Sequence, residues 1–347
     1  MKIAILCTLG PASLDGPVIR ALSERGVDLF RINLSHTPLD QVEPTIRLVQ
    51  AHTATPICLD TEGPQVRCGW MRSDVVLVEG REVRLTAEPV EGTAERIALW
   101  PRTIFDALAP GAVLSVDFDG VLLEVTNVGE GDAAARVLAG GRVRSNKAVT
   151  VDPPPSLPAL SEKDLAAIEI GARLGISAYA LSFAGSAEDV VRLRGLAPEG
   201  SFIIAKIESR RGVRNMDEII AATDAALIDR GDLSREVPLE HVPYYQKAIV
   251  RRANRWNRPV YVATNLLESM VTSRVPTIAE ANDLANTLLD GVHGLVLAAE
   301  TAIGVDPVGS VDMVLRAIRA FERSGVSQLL EEDRPARSAA PGYRAAT

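Results

Sequence analysis

Short apolar runs of strand length alternate with segments of helical period along most of the chain. Eight runs qualify, at residues 2–9, 29–35, 56–60, 178–183, 202–209, 225–233, 259–264 and 294–299. Between and after them lie segments such as "DGPVIRALSERG", "SEKDLAAIEIGARLG" and "TIAEANDLANTLLDG", whose apolar residues recur every three or four positions. Strands that are apolar on both faces belong in parallel sheets covered by helices. The alternation predicts an α/β fold, a closed (β/α)8 TIM barrel. An open, doubly wound sheet is the alternative that the same pattern allows.

Residues 70–144 break the alternation. They hold short β-rich runs, among them "VVLVEGREVRLTAE" and "AVLSVDFDGVLLEVTNVGEGD", punctuated by Gly, Asp-Gly and Gly-Gly turns. This predicts a small β-rich cap domain inserted after the third strand, with the barrel in residues 1–69 and 145–330. The stretch 331–347, "EEDRPARSAAPGYRAAT", reads as a disordered tail.

Polar residues gather at the carboxyl ends of the strand runs. The second carries Arg31, Asn33 and Ser35, the third ends in Asp60-Thr61, and the fifth carries Lys206 and Glu208. The sixth carries Asp229, Arg230 and Asp232, the seventh ends in Thr264-Asn265, and Glu300-Thr301 follow the eighth. In a barrel these ends meet on one face, where such folds keep their chemistry. Lys206 and Glu208 stand two apart, so on a strand they share a face, roughly 6.5–7 Å apart. At an effective dielectric of about 20 their attraction is roughly 2.5 kcal/mol, whereas burying each ion costs several kcal/mol. The pair is therefore not explained as a stabilising bridge. A divalent cation with an anionic ligand would account for it, and Glu208 with Asp232 suits Mg²⁺ or Mn²⁺.

Composition narrows the function further. Net charge is −8 and aromatics are 4% of residues, which disfavours nucleic-acid binding. No apolar run approaches the roughly 18–20 residues of a membrane span. Cys7, Cys58 and Cys68 follow no metal spacing and lie in or beside apolar stretches, as expected of buried or free thiols in a reducing cytoplasm.

The chain resembles the pyruvate kinase family over nearly its whole length. The residues that carry the resemblance are "CTLGPAS" (7–13), "DLFRINLSH" (28–36), "LDTEGPQVRCG" (59–69) and "ALSEKD" (159–164). "AKIES" (205–209), "RGDL" (230–233), "ATNLLESM" (263–270) and "PTIAEANDLANTLLDG" (276–291) continue it in order. The resemblance implies transfer of a phosphoryl group from phosphoenolpyruvate, or a related enol phosphate, to ADP. By the same resemblance Glu208 and Asp232 would hold Mg²⁺, Lys206 would stabilise the moving phosphoryl charge, and Arg31 would grip the same group. The N–H groups near Gly231 and Asp232, with the Thr264 hydroxyl, would hold the substrate carboxylate, and Thr264 would lie near the protonated face. Asn33, Ser35, Asp60 and Thr61 would form a potassium site, with His36, Arg67 and Lys147 near the nucleotide phosphates. A homodimer through the barrel is compatible with this pattern.

The sequence also departs from the family. It ends after the eighth helix, so the C-terminal regulatory domain is expected to be absent. Gln65 stands where members carry Glu or Lys, which leaves potassium dependence open. Glu62 replaces the usual Lys, and Asn265 stands for Gln. Asp229 replaces a small residue beside the expected carboxylate site. Ala298 lacks a hydroxyl and Ile303 lacks a charge in "LAAETAIG" (297–304). These departures support a second expectation, a repurposed barrel performing metal-dependent enolate chemistry on pyruvate or another 2-oxo acid, by lyase, decarboxylation or group-transfer reactions.

Overall fold

Each of the eight apolar runs forms a strand in the computed structural model, which describes residues 2–72, 75–116, 120–153 and 157–325. They are Ala4–Thr8 (β1), Leu29–Asn33 (β2), Ile57–Asp60 (β3) and Ala178–Leu181 (β4). Phe202–Lys206 (β5), Ala225–Asp229 (β6), Val260–Ala263 (β7) and Gly294–Leu297 (β8) complete the set. Neighbours run parallel, and β1 pairs with both β2 and β8, so the sheet closes and the open alternative is set aside.

The barrel interior explains where the polar residues fall. Leu6, Leu29, Cys58, Ala180, Ile204, Leu227 and Val296 belong to one buried cluster to which every strand contributes. Side chains alternate across a strand, so the residue two positions further on returns to the same face. Two beyond these apolar residues stand Thr8, Arg31, Asp60, Ser182, Lys206, Asp229 and Ala298. The polar layer is the next rung of the barrel core, at the carboxyl ends of the strands.

Every strand is shorter than its apolar run, and two of them lead promptly into helices. The runs at 202–209 and 225–233 predicted strands beyond Lys206 and Asp229, but helices begin at Arg210 and Arg230 instead. Capping overrides the β pattern at both places. Ser209 accepts a hydrogen bond from the Gly212 N–H at 3.0 Å, and Asp229 accepts from the N–H groups of Gly231 and Asp232. Elsewhere the helices follow the periodicity, as in Gly16–Glu24, Glu162–Arg173, Ile278–Leu289 and Pro307–Arg323. Thr277 and Glu280 form a reciprocal capping box at the start of the 278–289 helix.

The chain divides into two compact units, residues 1–63 with 162–347, and residues 64–161. The second is wider than the expected 70–144 because Val66–Cys68 and Ala148–Asp152 pair with each other rather than extending the barrel. Those strands belong to a closed, mostly antiparallel sheet with Glu82–Thr86, Arg96–Trp100, Val113–Val116, Val121–Gly129 and Asp132–Ala139. Its own core includes Val83, Leu85, Ile97, Leu114, Leu123 and Val149. The tail expected at 331–347 lies outside the described residues. Among the described residues no helix is long and apolar enough to cross a membrane.

Cys7 and Cys58 sit in the barrel wall with no more than 1% of their surface exposed. Burial pushes both thiols well above the usual range, with nearby carboxylates adding to it. Thiolate is the reactive form, so neither residue is expected to alkylate in the native protein at neutral pH. Peptide mapping after brief iodoacetamide treatment checks this, and ready labelling of either cysteine without denaturant contradicts the packing described.

Candidate active site

Lys206 ends β5 with its ammonium inside the polar layer, only 4% exposed. Its Nζ donates to Ser182 Oγ at 3.0 Å and lies 3.5 Å from Asp60 Oδ1, 3.2 Å from Glu208 Oε2 and 3.7 Å from Asp229 Oδ2. Arg31, equally buried, donates from Nε to Thr8 Oγ1 at 3.0 Å and approaches Asp60 Oδ2 with Nη1 at 3.5 Å. Three buried carboxylates, Asp60, Glu208 and Asp229, therefore surround two buried cations. At these separations each pairing is worth about 5 kcal/mol at an effective dielectric of about 20. Desolvation costs several kcal/mol for every ion. The cluster thus roughly cancels as a source of stability.

The protonation states follow from the same geometry. Burial alone would lower the Lys206 pKa, but Asp60, Glu208 and Asp229 outweigh it and hold the ammonium above its ordinary range. Burial raises Glu208 well above the usual carboxylate range; Lys206 opposes this, and Asp232, Asp229 and Asp60 reinforce it. Burial also raises Asp229, yet Lys206, Arg31 and its hydrogen bonds bring it below its ordinary value.

Glu208 lies just past β5, and its Oε1 accepts the Phe183 N–H at 2.8 Å. Phe183 adopts a left-handed backbone (φ 52°), which aims that N–H inward. The other oxygen, Oε2, is buried without a hydrogen-bond partner among the described residues and faces Lys206 at 3.2 Å. Glu208, Asp229 and Asp232 each offer one oxygen within 4.8 Å of the others. Hard carboxylate oxygens at this spacing fit a divalent cation such as Mg²⁺, and its charge would relieve the excess that raises Glu208. The expected pair Glu208 and Asp232 is brought together, and Asp229 joins it as a third acidic group.

Thr264 and Asn265 turn the chain after β7 through two consecutive left-handed residues (φ 71° and 56°). Such a conformation strains a β-branched residue. Arg230 holds the turn: its Nε and Nη2 donate to Thr264 O at 3.0 and 2.9 Å, and Nη2 also donates to Asn265 O at 2.9 Å. Asp283, on the 278–289 helix, fixes the guanidinium from behind at 2.7 Å. A Cβ on Gly231 would stand 2.7 Å from Thr264 Cγ2, so this close approach needs glycine.

The remaining predicted residues spread more widely. Asp60, expected at a potassium site, lies between Arg31 and Lys206. Thr61 Oγ1 accepts the Ser182 N–H at 2.9 Å, and Asn33 Oδ1 accepts the Ser35 N–H at 2.9 Å. His36 is exposed in the turn after β2. Gln65, Arg67 and Lys147 belong to the second unit, where Arg67 Nη1 donates to Asn146 O at 2.9 Å. Ile303 is exposed, and Ala298 donates its N–H to Glu300 Oε2 at 2.8 Å. Glu300 also accepts the Leu267 N–H at 2.9 Å, so this fully buried carboxylate ties loops together.

Two contributors had little sequence signal. Ser182 links Lys206, Asp60 and Thr61, donating to Thr61 O at 2.6 Å. It could have been found by continuing the alternate inward positions of β4 by one step. The Arg230 clamp joins residues from three separate segments, which spacing alone does not connect.

Residues 1–311 match the family described as pyruvate kinase, barrel domain. The pyruvate kinase of Methylorubrum extorquens is 37% identical over 335 residues, covering 94% of this chain and 70% of that protein. That of Corynebacterium efficiens is 37% identical over 334 residues, covering 93% and 70%. That of Mycobacterium tuberculosis is 36% identical over 341 residues, covering 93% and 71%.

Two outcomes are expected from this geometry. Mn²⁺ at a hundred times its dissociation constant should stabilise the fold by about 2.7 kcal/mol, and Glu208→Gln should abolish most of that gain in a thermal melt. An equal metal-induced shift in both proteins would place the ion elsewhere. Arg230→Ala should destabilise the protein by roughly 2–4 kcal/mol through loss of charged hydrogen bonds. Urea titration checks this, and an unchanged midpoint would show that the 264–265 turn holds itself.

Proposed function

The chain belongs to the pyruvate kinase family, and from that premise we propose that it catalyses phosphoryl transfer, dependent on a divalent metal, between phosphoenolpyruvate or a related enol phosphate and ADP. The observation that carries the proposal is the buried cluster in which Lys206 faces Asp60, Glu208 and Asp229 while Arg31 faces Asp60. Folding alone gives no reason to bury five ions at one end of a barrel. Catalysis does, because charge develops on phosphoryl and enol oxygens during transfer.

The roles follow from chemistry and position. Arg31 presents a planar fork of N–H donors suited to phosphoryl oxygens, and Thr8 and Asp60 orient it. Lys206 acts as a fixed positive charge rather than a proton donor, since the surrounding carboxylates keep it protonated. Ser182 positions its ammonium. Glu208 and Asp232, with Asp229 beside them, would hold the divalent ion. Such an ion neutralises oxygen charge and orients the reacting groups. The Thr264 hydroxyl stands at the edge of the cluster, hydrogen-bonded to Asp229 at 2.7 Å. No step is assigned to potassium, because Arg31 and Lys206 already face the Asp60 carboxylate.

Phosphorus NMR tests the proposal directly. The protein is incubated with ADP, Mg²⁺ and in turn phosphoenolpyruvate and vinyl phosphate, an enol phosphate without a carboxylate. ATP should form from at least one donor and disappear when the metal is chelated. Lys206→Met should lower the rate by about 10²–10³-fold or more, the scale for removing one charge-stabilising donor. No ATP from either donor at high protein concentration would remove the phosphotransfer reading.

A further inference from the structure

Three donors converge on one oxygen of Asp229. The N–H groups of Gly231 and Asp232 donate to Oδ1 at 3.2 and 3.5 Å, and the Thr264 hydroxyl donates to the same atom at 2.7 Å. A carboxylate that accepts from the first N–H groups of a helix is an ordinary cap. Asp229 does more than cap. It is 6% exposed, and its third donor comes from the end of a different strand, at the strained turn that Arg230 clamps. Its other oxygen, Oδ2, faces Lys206 at 3.7 Å. One Asp229 oxygen also lies within 4.8 Å of ligand atoms of Glu208 and Asp232, where the buried Glu208 Oε2 has no hydrogen-bond partner among the described residues.

This is how the carboxylate of an acidic ligand would sit: one oxygen on neutral donors, the group as a whole against a cation pocket and an ammonium. We infer that Asp229 is a built-in surrogate for a substrate carboxylate, so that this site takes an enol phosphate carrying no carboxylate beside the reacting carbon. The inference rests on the phosphotransfer reading above and specifies its substrate class. Sterics and charge both support it. The seat is closed, since even a Cβ on Gly231 would come within 2.7 Å of Thr264 Cγ2. The buried layer already holds three carboxylates against two cations, so a further carboxylate would meet like charge and find the Gly231, Asp232 and Thr264 donors already engaged by Asp229. The 2-oxo acid alternative meets the same obstacle.

For such a substrate the reaction balances with one proton from water and no other reactant. The bond from phosphorus to the enol oxygen breaks, with the electron pair staying on that oxygen. A terminal phosphate oxygen of ADP forms the new bond to phosphorus. The enolate takes one proton on its methylene carbon and becomes an aldehyde or ketone, and ATP departs.

Calorimetric binding without nucleotide, in the presence of Mn²⁺, tests the inference. Vinyl phosphate and phosphoenolpyruvate are titrated into the whole protein and into Asp229→Ala. The wild type should bind vinyl phosphate at least tenfold more tightly than phosphoenolpyruvate. Asp229→Ala should reverse that order, and added formate, by filling the vacated seat, should weaken its binding of phosphoenolpyruvate. Equal or tighter binding of phosphoenolpyruvate by the wild type overturns the inference while leaving phosphotransfer intact. Binding of neither ligand to either protein removes both. The wild-type comparison needs no variant, so the inference stands or falls even if Asp229→Ala does not fold.

Discussion

The Lys206 ammonium, enclosed at the end of the barrel by Asp60, Glu208 and Asp229, is the interaction on which the site depends. It holds three carboxylates within 3.7 Å of one ammonium, and they in turn keep it charged. Neither half is tenable alone. An isolated buried ammonium would shed its proton, and isolated buried carboxylates would take one up. Together they form a set that roughly breaks even for folding and keeps a Glu208 oxygen within 4.8 Å of ligand atoms of Asp229 and Asp232.

The barrel creates this set by extending its own core pattern. Inward-facing positions are apolar through the middle of the strands and, from β1 to β6, become polar two residues later. Closed strand pairing brings those last positions from β1 to β6 into one layer, with no loop rearrangement required. The loops then contribute what strands cannot. Phe183 turns an N–H toward Glu208, and Thr264 turns a hydroxyl toward Asp229, each through a left-handed backbone. Such strain persists where surrounding contacts determine it, and Arg230 with Asp283 supplies those contacts at Thr264.

Family membership and local chemistry say different things about this site. The family indicates a kinase-type transferase, and Arg31, Lys206, Glu208 and Asp232 are compatible with the phosphotransfer proposed above. Asp229 alters the outlook for substrate choice from within that cluster, one oxygen on the neutral donors and the other facing Lys206. A single side chain of the protein takes up donors that would otherwise be open to a ligand. Specificity can change in this way at little cost to phosphoryl chemistry, because a site rejects what it leaves without partners.

Much of this was legible along the chain. Eight apolar runs with helical segments determined a parallel, helix-covered sheet, because side-chain period and burial on both faces are local properties of sequence; its closure was decided by the pairing of β1 with β8. The same alternation located the polar ends, and the spacing of Lys206 and Glu208 already marked their site as something other than a stabilising bridge. Strand ends were less legible: the β pattern continued past Lys206 and Asp229, and capping by Ser209 and Asp229 stopped it. Only tertiary structure decided that Asp60 faces Arg31 and Lys206, that Ser182 completes the layer, and that Arg230 braces Thr264. Above all it decided that Thr264 and the 231–232 backbone converge on Asp229. Those contacts join residues from separate strands, and their distances depend on barrel closure and left-handed turns, neither of which leaves a periodic trace in the sequence.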